Sequence, residues 1–219
     1  MVRHRLFWAH AAVARLHRVR REEGLEGRVV IDHRVFALEL INDRPTPKLI
    51  LDAEVPVAGA LEPAAGWELW QAPAWSYPVT TLPAMEAVQA AKEQSLEASE
   101  ALDRRLRIAM FGQSRCVSLR GVILAVAEEC PEVDAGALTK ALDNGVARRA
   151  VIEQAELGAG DAIEGSPELV LPDGTQHHHP GVEIHWEGNK GAGFPVVDAD
   201  DPSVYVDLLH RSAAPARTL

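Results

Sequence analysis

Several patterns that announce a function are missing from these 219 residues. No apolar run reaches the roughly 18 residues needed to span a bilayer as a helix, so no membrane span is expected. There is no G-x-S-x-G elbow, which removes the hydrolases built on one. A Walker loop and G-x-G-x-x-G are both absent, and GNKGAG at 188–193 follows strand-like sequence and opens no helix. It reads as a flexible loop. Cysteine is scarce: Cys116 and Cys130 stand fourteen residues apart, in no C-x-x-C pair. A basic excess is lacking too, since the net charge is −10, which argues against general nucleic-acid binding.

What is present describes a folded chain, with 47% hydrophobic and 25% charged residues. A chain of this length typically buries roughly 70% of its unfolded surface, so its core needs no disulfide or structural metal. The charge is uneven. Residues 1–28 carry seven arginines against three glutamates, a balance of +4 that leaves −14 for the rest. Those arginines read as the solvated face of a helix. They also interrupt any secretory h-region, so the expected location is the cytoplasm, where both thiols would stay reduced.

Leu6, Ala9, Val13, Leu16 and Val19 recur three or four apart, predicting an amphipathic helix over 5–23 with Gly24 beyond its end. Arg28–Phe36 alternates with β-branched residues and predicts a half-buried strand. Seven prolines between 45 and 83 predict a long connecting region without extended helix. Trp67, Trp70 and Trp75 within it are expected to anchor it on a surface. Residues 84–157 predict four helices, near 84–94, 96–111, 118–129 and 134–155, the last broken around Asn144 and Gly145. Ser118 and Asp134 are the expected N-caps. After Gly158 the pattern predicts a hairpin of 167–171 with 182–186, then a helix from Ser203 to Ser212.

The histidines at 177, 178, 179 and 185 are the densest set of metal-ligand types, but they lack a cysteine or fixed carboxylate partner other than Glu183. They read as an exposed hairpin edge, and no metal is expected. Cys130 reads as a small residue at a helix end. Cys116, beside Arg115 and near a helix start, has surroundings that could favour a thiolate, against the commoner role of a free cysteine as a small hydrophobe. Gly165-Ser166-Pro167 precedes a strand. Its plain reading is a strand-starting proline without an N–H to give the ladder. Its functional reading is a cis Ser166–Pro167 bond beside an edge that pairs with an extended substrate.

Ile163-Glu-Gly-Ser-Pro-Glu-Leu-Val-Leu-Pro-Asp-Gly174, Phe36-Ala-Leu-Glu-Leu-Ile-Asn42 and the helical block between them resemble the DsbA family of thioredoxin-fold oxidoreductases, in its FrnE-like subgroup. His179-Pro180-Gly181 departs from that family's pattern. The resemblance implies an α/β, thioredoxin-like fold with an all-helical insertion: 1–42 and 158–219 as the thioredoxin-like part, 43–83 as connection and 84–157 as insertion. It also implies that Gly165, Ser166 and Pro167 form the substrate-binding edge, with Trp8 lining the same groove.

In that family a C-x-x-C pair precedes the first helix, where helix-end N–H groups and the dipole favour a thiolate. Arg3–Trp8 would follow that pair, so Met1 stands about where it belongs, and neither cysteine is there. The missing first strand is an inner one, and its loss would leave its neighbours roughly 10 Å apart with unpaired backbone groups. The resemblance therefore leads us to expect a natural start upstream of Met1. The rival expectation is a rearranged sheet in which another strand, such as one from a partner chain, fills the gap. The implied activity is thiol–disulfide exchange with protein or peptide partners, inactive in this chain for want of the pair, with no catalytic residue assigned. Two other classes stay open: a kappa-class-like transferase or isomerase with glutathione as co-substrate, and a redox-inactive peptide-binding module. No cofactor, nucleic acid or membrane partner is expected, and a homodimer is an allowed assembly.

Overall fold

The computed structural model describes residues 6–189 and 193–214, with side chains from Trp8 onward. Met1, Arg3 and Arg5 lie outside the described residues. The architecture is mixed α/β and mostly helical, with two small antiparallel sheets. In chain order the helices are α1 (Leu6–Glu22), α2 (Leu38–Ile41), α3 (Lys48–Leu61), α4 (Leu82–Ala91), α5 (Leu96–Phe111), α6 (Arg120–Glu128), α7 (Ala135–Asn144) and α8 (Val146–Ala159). Strands β1 (Glu168–Val170), β2 (Gln176–His178), β3 (Val182–Glu187) and β4 (Phe194–Asp200) follow, then α9 (Ser203–Ala213). No described helix is long and apolar enough to cross a membrane.

Helix α1 is less one-sided than its sequence suggests. Trp8, His10, Ala11, Ala12, Arg15, Leu16 and Val19 are all buried, because α3, α5 and α9 pack around it. Two of its arginines are therefore not a solvated face. Arg15 is 2% exposed and ion-paired with Glu62 and Asp200, while Arg20 pairs with Glu100 of α5. The main core joins Trp8 of α1 and Leu51, Val55 and Ala58 of α3 to the helices of 84–157. A second cluster holds Ala12, Leu16, Val19, Leu25 and Val29 against Tyr205 and Leu209 of α9.

The strand expected at 28–36 does not form as part of a sheet. The segment is neither helix nor paired strand, and its burial alternates as expected, with Val29, His33 and Val35 inside and Val30, Asp32 and Arg34 outside. Side chains replace a ladder. The Ile31 N–H donates to Glu100, the Val35 N–H to Gln154, and the His33 carbonyl accepts from Gln89 and Lys92. Alternation records burial, but pairing needs a neighbouring strand, and none lies beside this segment among the described residues.

The proline-rich region also departs from expectation, since α3 runs for 14 residues through Pro56. An interior proline costs a helix about 3 kcal/mol. Burial of Ile50, Leu51, Val55 and Ala58 on one face offsets it. Pro47 sits at the N-cap, where a missing N–H costs nothing. Of the three tryptophans, Trp67 packs on the core and donates to the Glu62 carbonyl, and Trp70 meets Tyr77 edge-on. Trp75 is 86% exposed and anchors nothing.

The helical block follows its sequence closely. Asp134 caps α7 by accepting from the Ala137 N–H, and Gly145, at φ 71°, separates α7 from α8. Ser118 is not a cap: α6 starts one residue later, and the Ser118 hydroxyl donates to the Thr80 carbonyl. The hairpin partner also differs. β1 pairs with β2 across the Pro-Asp-Gly turn, whereas β3 pairs with β4. Asp173 accepts from the N–H and hydroxyl of Thr175, closing so tight a turn that the return strand begins at 176 rather than 182.

Candidate functional site

Trp8, Ala11, Ala12 and Arg15 recur at helical spacing on one face of α1, and this face borders a small, shallow hollow. Leu61 at the end of α3, Pro167 ahead of β1, His179 and Val182 around the β2–β3 turn, and Tyr205 of α9 complete its wall. Two residues expected at a substrate edge, Trp8 and Pro167, thus meet here. Gly165 and Ser166 do not line the hollow. The Ser166–Pro167 bond is cis. Gly165 lies beneath His178, whose Cε1 would be 2.6 Å from any Cβ added there.

The histidine tract is not the exposed edge that its sequence suggests. His179 is buried and its ring lies 5.8 Å from that of Trp8. Its N–H donates to the Pro167 carbonyl at 3.0 Å, and its carbonyl accepts from Val182. Gly181 makes this turn. It holds φ 70°, and its carbonyl accepts from the Asp201 N–H at 2.7 Å. A Cβ there would lie 2.2 Å from the Asp201 carbonyl oxygen, so Gly181→Ala should cost more than about 1 kcal/mol. A urea unfolding midpoint unchanged from the parent chain would refute that account of the turn.

Below the hollow lies a compact ion network. Arg15 donates to Glu62 at 2.7 Å and forks onto both carboxylate oxygens of Asp200 at 2.5 and 3.0 Å. Arg18 donates to both oxygens of Glu62. Burial pushes the Glu62 carboxyl upward, but the bonds from Arg18 and Arg15 outweigh it and hold the group below its usual range. The Arg15 guanidinium also sits 5.5 Å from the centre of the Tyr205 ring. Burial pushes the Tyr205 phenol well up, so it stays protonated at neutral pH. The hollow is therefore an apolar surface over a fixed, neutralised base.

Neither thiol is near this chemistry. Cys130 belongs to the main core, its S–H donates to the Val126 carbonyl, and burial pushes its pKa up. Cys116 is half-buried ahead of α6 and does not line the hollow. His185 stands apart on β3, paired with Asp198 at 2.7 Å, and hydrogen bonding to that carboxylate raises its pKa. Among the described residues no group of three metal-ligand side chains converges. A second hollow, bounded by Leu38, Glu39, Tyr77 and Met110, has its carboxylate satisfied internally, since Glu39 accepts from both the N–H and the hydroxyl of Thr81.

Sequence reasoning missed Arg15, His179 and Tyr205 at this site. The departure His179-Pro180-Gly181 was the one available signal. No known protein family, curated protein or solved structure matches the chain.

Proposed function

We propose that this chain is a redox-inactive, thioredoxin-like binding module of DsbA type, taking extended polypeptide at the edge that begins at Pro167. The observation that carries this reading is the meeting of Trp8 and Pro167 on one apolar hollow that contains no thiol. Thiol–disulfide exchange needs a thiolate at the bound chain, and the two cysteines of the sequence lie elsewhere. A polypeptide backbone suits the site, because β1, which pairs only with β2 among the described residues, offers unpaired main-chain groups on its free edge beside the hollow. A cytoplasmic location accords with the free thiols.

Three measurements on the full chain separate the readings. Insulin reduction by dithiothreitol should run no faster with the protein than without it. Titration with glutathione should give no saturable signal at millimolar concentration. Unfolded, carboxymethylated polypeptide should bind saturably by calorimetry, and Val170→Pro, which removes a main-chain donor from the free edge of β1, should weaken that binding at least about tenfold. Catalysed insulin reduction would restore the oxidoreductase reading. Saturable glutathione binding would favour the transferase or isomerase, and no polypeptide binding would overturn the proposal.

A further inference from the structure

The junction of α7 and α8 plays no part in the groove, and it carries a reactive pair of its own. Asn144 is the one asparagine of the sequence that glycine follows. An asparagine supplies an electrophile, its side-chain amide carbon Cγ, on which the next main-chain nitrogen can close a five-membered ring. A side chain on the following residue shields that nitrogen, and Gly145 has none. Nothing lies within 4 Å of the place where a Cβ would stand on Gly145, and Asn144 is exposed, so water and hydroxide reach the site.

The fold favours this closure in two ways. At other helix ends the next N–H is spent on a carbonyl: Asn42 donates to Leu38 after α2, and Gly112 to Ile108 after α5. The Gly145 N–H, turned by a φ of 71°, makes no hydrogen bond among the described residues. The Asn144 Oδ1 in turn accepts the Val146 N–H at 2.9 Å. That bond closes a ring of atoms containing both Cγ and the Gly145 nitrogen, so the reacting atoms are kept together. It also aims a donor at the oxygen that becomes negative when Cγ is attacked. The Asp173–Gly174 pair shows the opposite arrangement. Gly174 donates its N–H to the Leu171 carbonyl at 2.9 Å, and bonds from Thr175 and Arg211 hold Asp173 ionised, a form that resists attack.

We infer that Asn144 is a self-modification site, at which the folded chain converts its own asparagine into aspartate and isoaspartate. Hydroxide takes the proton of the Gly145 N–H, and the nitrogen's electron pair forms a bond to Cγ while Oδ1 takes the negative charge beside the Val146 N–H. The charge then returns and the Cγ–Nδ2 bond breaks. Nδ2 takes a proton from water and leaves as ammonia, which restores the hydroxide. Water opens the resulting succinimide, at Cγ to give aspartate or at the main-chain carbonyl to give isoaspartate. Nothing is oxidised or reduced. Either product sets a new carboxylate next to Asp143, the partner of Arg120. Isoaspartate also lengthens the main chain by one carbon between α7 and α8, where Leu138 and Ala141 on one helix and Ala147 on the other belong to the main core. The change therefore accumulates with the age of the molecule and acts on the helical block.

Incubation of the full chain at pH 7 and pH 8, followed by mass analysis of the tryptic peptide 141–148, tests this. A blocked synthetic peptide of the same residues, which has the sequence without the fold, is the reference. Residue 144 of the folded chain should become aspartate and isoaspartate at least as fast as in the free peptide. The rate should rise about tenfold from pH 7 to pH 8, because the nucleophile is the deprotonated amide. Over the same time Asp173 should not isomerise. On isoelectric focusing the parent chain should develop an acidic band that Asn144→Gln abolishes, since the longer side chain must close a larger and slower ring. Slower conversion in the folded chain than in the free peptide would show that the fold protects Asn144, and overturns the inference. An acidic band that persists in Asn144→Gln, or isomerisation of Asp173 at an equal rate, overturns it as well.

Discussion

Lowering the pH from 7 to about 4.5 should destabilise this protein steeply, by about 3 kcal/mol per pH unit below pH 6 from His10 and His17, with His33 adding in the same direction. Three histidines produce the effect. His10 is buried between Trp67 and Phe111, and burial, assisted by Arg107, lowers its pKa from 6.5 to about 3. Burial likewise lowers His17 to about 4, with Arg20 and Arg104 pushing the same way against Glu100. Burial also lowers His33, against the pull of Asp103. Each is neutral in the folded state and takes up a proton more readily when unfolded. The stability each contributes is thus complete above pH 6.5 and is lost as pH falls toward the folded value.

Each such histidine is worth about 1.4 kcal/mol per pH unit, and a domain of this kind is stable by about 5–15 kcal/mol. His10 and His17 over two pH units lose about 5 kcal/mol, the lower end of that range, and His33 adds to the loss. The carboxylates do not compensate within this window. The Arg107 guanidinium outweighs burial and holds Asp103 at about 2, so it sheds stability only at still lower pH. Urea titrations at pH 7, 6 and 5 measure the slope directly. His10→Leu should reduce it by about 1 kcal/mol per pH unit between pH 6 and 5. A slope unchanged by that variant would show that His10 is not one of the groups responsible.

Arg15→Met should destabilise the protein by about 3–5 kcal/mol at pH 7, the cost of breaking a buried pair from one side. Methionine fills most of the volume, so the loss is electrostatic rather than a cavity. Asp200 would lose its two hydrogen bonds from Arg15, and Glu62, 5% exposed, would keep only Arg18. Arg15 connects α1 to the end of α3 and to β4, so the loss should be global. Chemical denaturation of Arg15→Met, Glu62→Gln and the double variant checks this. The double variant should be more stable than the sum of the singles predicts, by at least about 1 kcal/mol, because the pair is one unit. Strict additivity would refute the coupling.

The helical block was legible because its signals are local. Asp134 caps, Gly145 breaks, and the apolar spacing of 96–111 lies within single elements. The site was legible only in part. Trp8 and Pro167 could be named, but nothing local marked Arg15 as more than a surface charge. Its partners are 47 and 185 residues away in sequence, in a loop start and a strand that only folding brings to α1. His179 was misjudged for the same reason, since its burial depends on α1 passing over the β2–β3 turn.

The sequence by itself determined the helical content of 84–157, the alternation of 29–36 and the turn at 172–174, because caps, periodicity and turn chemistry act over a few residues. Tertiary structure alone decided which strand pairs with which, whether 29–36 has a neighbour at all, and which charges are buried. Pairing and burial are relations between distant segments. A pattern of two states can say that a residue faces inward, but what lies inside is set by the elements that pack there.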